Sequence, residues 1–90
     1  MSSKVTRLPH DNRPVFARNL NDALRLRGET AENFSRRIDR TLRTVQRWRS
    51  GESAPGAADA LLVAQALGVT VEALFTPAPP RHEPDLPDAA

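Results

Sequence analysis

Ninety residues with a net charge of +2, no cysteine and 39% hydrophobic residues fit one small soluble domain and exclude a two-domain enzyme built around a deep cleft. No apolar run approaches the roughly eighteen residues that span a bilayer, the longest (residues 60–64) is halted by Gln65, and the N-terminus carries no signal-peptide core. The absence of cysteine removes disulfide staples and thiolate metal sites, so the expectation is a cytoplasmic protein held by packing alone and helped by a second copy of itself.

Along the chain, residues 1–12 are short, polar and interrupted by Pro9, which predicts a flexible arm. The folding unit spans residues 13–76. Its first helix opens near Pro14, carries a stripe of Phe16, Leu20, Ala23, Leu24 and Arg27 at helical spacing, and closes at Gly28. Thr30 caps a second helix with Glu32 in its positive first turn; this helix contributes Phe34 and Ile38 and breaks around Asp39 and Arg40. Thr41 caps a third, in which Val45 and Trp48 share one face, and Gly51 stops it in the left-handed region. A fourth helix is predicted over residues 57–67 with Leu61, Ala64 and Leu67 inward, ending at Gly68. Thr70 caps a short fifth helix that carries Val71, Leu74 and Phe75. From residue 77 onwards five prolines (77, 79, 80, 84 and 87) among acidic residues predict a disordered tail. β-Branched alternation is nowhere sustained, so the expected fold is all-α with five helices.

Charge is distributed unevenly along this plan. Residues 36–49 hold Arg36, Arg37, Arg40, Arg43, Arg47 and Arg49 against Asp39, a local charge of +5, whereas residues 50–90 sum to −5. Such a concentration of arginine, rather than lysine, favours an anion-binding face over a merely solvated one. Residues 30–51 also form two short capped helices joined by a three- or four-residue turn. That spacing is a helix-turn-helix pattern, in which the second helix projects its first turns into a major groove.

On these residues the chain resembles a known family. The segment ETAENFSRRIDRTLRTVQRWRSG, residues 29–51, is similar without gaps to the core of the lambda repressor/Cro-type (XRE-like) helix-turn-helix family. Pro55, the ALLVAQALGV stretch ending at Val69, and VEALF at residues 71–75 resemble that family's fourth and fifth helices, so the likeness covers residues 16–75. The resemblance implies a compact five-helix DNA-binding domain, usually dimeric, that acts on transcription. The chain departs from the pattern at several positions. Ala31 stands where the family often has a glutamine that bridges phosphate and reading helix, and Ser35 is the small residue inside helix two. Asp39 replaces the turn glycine, Arg40 replaces a buried aliphatic residue, and Arg49 replaces a glutamate. Asp tolerates the left-handed region better than most residues, Leu42 can supply the apolar contact Arg40 cannot, and the Ser35 hydroxyl can bond back to a carbonyl.

By the same resemblance, Thr30, Arg40, Thr41, Leu42, Arg43, Thr44, Gln46 and Arg47 sit where the family reads bases or touches flanking phosphates. Arg43 can offer a bidentate fork to guanine O6/N7 or pair with phosphate, and Gln46 can pair with adenine N6/N7 or simply solvate the helix. Leu42 touches a thymine methyl or packs on Ile38. Arg47 is expected on phosphate, Thr41 and Thr44 cap the helix and donate to phosphate, Arg36, Arg37 and Arg40 act as backbone clamps or solvated charges, and Trp48 belongs to the core. Val71, Leu74 and Phe75 are expected at a dimer interface with Phe75 as the main anchor, because so short a helix should not hide all three against its own chain; the alternative folds Phe75 back under helix one. An enzyme is not expected: His10 and His82 lie in the end segments without fixed partners, and Glu29 and Glu32 suit a helix N-terminus better than acid–base work. No cofactor or metal is expected. The expected partners are a double-stranded DNA operator and a second copy, and the expected role is a phage-type or bacterial repressor. The alternative is an antitoxin or other protein-interaction module, bound to a toxin or antirepressor, with secondary DNA binding.

Overall fold

A computed structural model describes residues 11–77; the expected N-terminal arm up to residue 10 and the expected tail from residue 78 lie outside the described residues, as do His10 and His82. The chain forms α1 (Arg13–Arg27), α2 (Ala31–Arg37), α3 (Leu42–Ser50), α4 (Ala57–Leu67) and α5 (Val71–Leu74), with no strand among the described residues. No helix among them is long and apolar enough to cross a membrane.

Local chemistry sets the boundaries. Thr30, Thr41 and Thr70 take extended backbone conformations, and their hydroxyl oxygens accept from the amides of Asn33, Thr44 and Ala73 at 3.0, 3.1 and 3.0 Å. Pro14 lies in the first turn of α1, where its missing N–H is no loss. At the C-terminal ends, α1, α2, α3 and α4 close alike: the amide of the left-handed residue and the amide after it both donate back into the last turn. These pairs are Gly28 and Glu29, Asp39 and Arg40, Gly51 and Glu52, and Gly68 and Val69.

The core is one cluster around Phe16. Phe16 meets Trp48 edge-on at 6.0 Å and stacks on Phe75 at 5.3 Å, so α1, α3 and α5 converge on a single ring. Leu20, Leu24, Phe34, Ile38, Val45, Val63, Leu67 and Leu74 complete it, with Leu42 packed at its margin. Trp48 is buried, as its spacing from Val45 predicts.

One expectation is corrected. Leu61 does not face inward but is 51% exposed, and α4 buries Ala60, Val63, Ala64 and Leu67 instead. The helix is almost wholly apolar, so its composition leaves the phase of the inward stripe open; the buried set follows the true i, i+3, i+4, i+7 repeat. In the fifth helix Leu74 is buried in the chain's own core, while Val71 and Phe75 are half-buried, Phe75 stacked on Phe16 of α1. The side-chain amide of Asn19 donates to the carbonyls of Ala73, Leu74 and Thr76 at 3.2, 2.8 and 3.0 Å and holds the last turn of α5 against α1.

Glu29 is a second departure from the simple reading, because it does more than favour a helix N-terminus. Its side chain is only 7% exposed, and it accepts from Arg37 Nε and Nη2 at 2.8 and 2.9 Å and from Asn33 Nδ2 at 2.8 Å. Arg37 also donates to the Ala66 carbonyl at 3.1 Å and Arg27 to the Leu67 carbonyl at 3.4 Å, so the cluster fastens α1 and α2 to the end of α4. Arg37 holds the Glu29 carboxyl below its ordinary pKa; burial opposes that shift and loses. A carboxylate lowered in this way adds stability that is complete above its unfolded pKa and is lost as the pH falls through the folded value. Glu29→Gln is therefore expected to cost about 1–2 kcal/mol at neutral pH, the figure for charged hydrogen bonds discounted for an arginine partly in water. Urea titrations across the acid range check this: the two proteins should converge in acid, and a constant difference there would assign the loss to packing.

Candidate nucleic-acid interface

The inward commitment of Val45 and Trp48 turns the opposite side of α3 to water. Arg43, Gln46, Arg47 and Ser50 follow one another at helical spacing on that side and, with Glu52 from the next loop, line a shallow concavity. The structure thus brings together three of the residues expected to touch DNA, Arg43, Gln46 and Arg47. It adds Ser50 and Glu52, which sequence reasoning did not name. The continuing i, i+3, i+4, i+7 register was the signal for Ser50; nothing local pointed to Glu52, which arrives because Gly51 turns the chain back.

The remaining expected residues are placed differently. Thr41 Oγ1 accepts from the Thr44 amide and donates to Thr44 Oγ1 at 3.0 Å, leaving the Thr44 proton as the outward donor of the pair. Leu42 is half-buried against the core, so the packing alternative is the one the fold realises. Thr30 lies in a separate hollow with Asn21, Arg25, Ala31 and Arg49. Arg40 points its guanidinium at α4, where Nη2 and Nε donate to Asp59 Oδ1 at 2.7 and 3.2 Å, and Asp59 raises its already high pKa.

Hydrogen bonding sorts the arginines. Among the described residues, Arg13, Arg18, Arg25, Arg27, Arg36, Arg37, Arg40 and Arg47 each have a carboxylate within 4.0 Å. Arg49 has none but is held by a reciprocal amide clasp, donating to Asn21 Oδ1 at 2.6 Å while Asn21 Nδ2 donates to the Arg49 carbonyl at 3.0 Å. Arg43 alone has neither an ion pair nor a hydrogen bond, and it is exposed on the first turn of α3. Of its neighbours, Gln46 is equally unengaged, and Arg47 is tied only loosely to Glu52, at 3.5 Å with both side chains largely in water. An unpartnered guanidinium beside an unpartnered carboxamide offers two planar hydrogen-bonding groups side by side, with donors for O6/N7 of guanine and a donor–acceptor pair for adenine.

Comparison with protein-family models, with curated proteins and with solved structures yields no significant match to this chain.

The turn that delivers α3 rests on Asp39, whose φ of 59° is the only positive value outside glycine among the described residues. Its amide donates to the Arg36 carbonyl at 3.2 Å and that of Arg40 to Ser35 at 2.9 Å, the closure that glycine makes at the other three ends. A β-branched side chain in that conformation meets the following carbonyl. Asp39→Val should cost about 1–2 kcal/mol, while Asp39→Gly, which needs no strain relief elsewhere, should gain up to about 1 kcal/mol. Chemical denaturation measures both; equal effects of the two substitutions would show that the left-handed backbone is not what holds the turn.

Proposed function

We propose that this chain is a sequence-specific double-stranded DNA-binding regulator of transcription, acting as a repressor of the phage or bacterial type on a palindromic operator in the cytoplasm. The reading rests above all on Arg43, the one described arginine without an internal partner, standing beside Gln46 on the outward face of a basic helix. The family resemblance of residues 29–51 supports it. In this reading α2, the turn at Asp39 and α3 form a helix-turn-helix, with α3 laid in the major groove. Arg43 forks onto guanine O6/N7 and Gln46 pairs with adenine. Arg47, at the edge of the concavity, exchanges its loose contact with Glu52 for a phosphate oxygen, and Thr44 donates to the backbone nearby. Two copies act together, because one short helix specifies too few base pairs to single out a site in a genome. Their contact uses surface other than Leu74, which the monomer already buries.

Selection from a random duplex library at several salt concentrations tests the proposal: an enriched palindrome is expected, and salt-sensitive binding without preference would overturn it. Arg43→Ala should then cost roughly 1–3 kcal/mol on the selected operator and relax one base pair. Arg47→Ala should weaken operator and random DNA alike and reduce the salt slope by about 1. Uniform weakening by Arg43→Ala would move Arg43 to a phosphate.

A further inference from the structure

Between α2 and α3, Arg40 stands between the left-handed Asp39 and the cap Thr41. Its amide donates to the Ser35 carbonyl at 2.9 Å and completes the closure of α2, so Arg40 lies in the turn from which α3 leaves. Its side chain is fastened from both sides. Nη1 donates to the carbonyl of Asp39 at 2.9 Å, while Nε and Nη2 converge on Asp59 Oδ1 in the first turn of α4. Both partners are about one-third exposed, at 37% and 31%, and the contact is shorter than the Arg36–Glu32 and Arg47–Glu52 pairs at 3.7 and 3.5 Å. α3 packs mainly on α1 and α2, and this pair adds a tie between the turn leading into α3 and the first turn of α4, at the end of α4 opposite the Arg27 and Arg37 contacts.

We infer that Arg40 and Asp59 form a positioning pair for the proposed DNA-reading helix, and that Arg40 is not a phosphate contact. The inference rests on the DNA-binding reading and specifies how its geometry is held. An arginine whose charge is matched by a carboxylate brings little net counterion release when it meets DNA, and a guanidinium with three donors engaged must give up bonds to do so. Its value lies in orientation: an interface group that drifts by an ångström loses discrimination before it loses general affinity.

The test measures operator and random-duplex binding across salt for the whole chain, wild type against Arg40→Ala, Asp59→Asn and the exchange Arg40→Asp with Asp59→Arg. Folding of each is checked by circular dichroism well below the melting point. Both single variants should lower the ratio of operator to random affinity by about tenfold, and Arg40→Ala should leave the salt slope unchanged. The exchange should recover most of that ratio, because the pair is restored with its signs reversed. A drop of about 1 in the slope for Arg40→Ala, with random DNA weakened as much as operator, makes Arg40 a phosphate contact and overturns the inference. Should the exchange variant not fold, the slope and ratio of Arg40→Ala decide alone. A wild-type chain that binds no duplex removes the DNA reading and this inference with it; a wild type that selects an operator while both single variants keep its ratio removes only the inference.

Discussion

The edge-on contact of Trp48 with Phe16 is the interaction on which the rest depends. Burying an aromatic side chain of this size contributes about 1.5–3 kcal/mol, and the paired ring geometry roughly 0.5–1.5 more, which exceeds any single exposed ion pair in the chain. Once Trp48 and Val45 are inward, helical geometry leaves no choice about Arg43, Gln46, Arg47 and Ser50: they face water together. The same Phe16 ring receives Phe75 on another side, so the packing that orients α3 also draws α5 onto α1. A surface with chemical meaning is thus the remainder of a packing decision.

Around that core, most of the positive charge is used for attachment. Arg40 with Asp59 and Arg49 with Asn21 each join elements distant in sequence, Arg37 holds the nearer Glu29, and Arg27 and Arg37 also hold carbonyls near the end of α4. Of the described acidic residues after position 50, Glu52 and Asp59 meet the basic segment, at Arg47 and Arg40. Among the described residues, what stays uncompensated is narrow: Arg43, with Gln46 beside it and Arg47 loosely held. A small free face suits recognition by direction of hydrogen bonds. A broad field of loose arginines would raise affinity for any polyanion without selecting among them.

The chain closes four of its helices by one device and varies it once. Glycine supplies the left-handed residue after α1, α3 and α4, while Asp39 supplies it before α3. At that one place the residue that follows is Arg40, whose side chain reaches back to the Asp39 carbonyl. The turn that aims α3 is thereby fixed by side-chain bonds as well as by backbone closure, in a loop too short to be fixed by burial.

The sequence alone determined the five helices, their threonine caps, their left-handed stops and the burial of Trp48, because each depends on a few adjacent residues or on a clear helical period. It also grouped Arg43, Gln46 and Arg47, without Ser50 beside them. It did not determine the phase of α4, where an almost uniformly apolar helix gives periodicity nothing to contrast, and Leu61 was misplaced for that reason. Nor did it reveal that Asn19 ties down α5, that Glu29 is chelated by Arg37, or that Arg40 leans away from α3 towards Asp59. A long polar side chain can reach in many directions, and its partner is set by which helices are neighbours in space. Only the tertiary structure decided which of the described arginines bind the protein to itself and which one among them was left free.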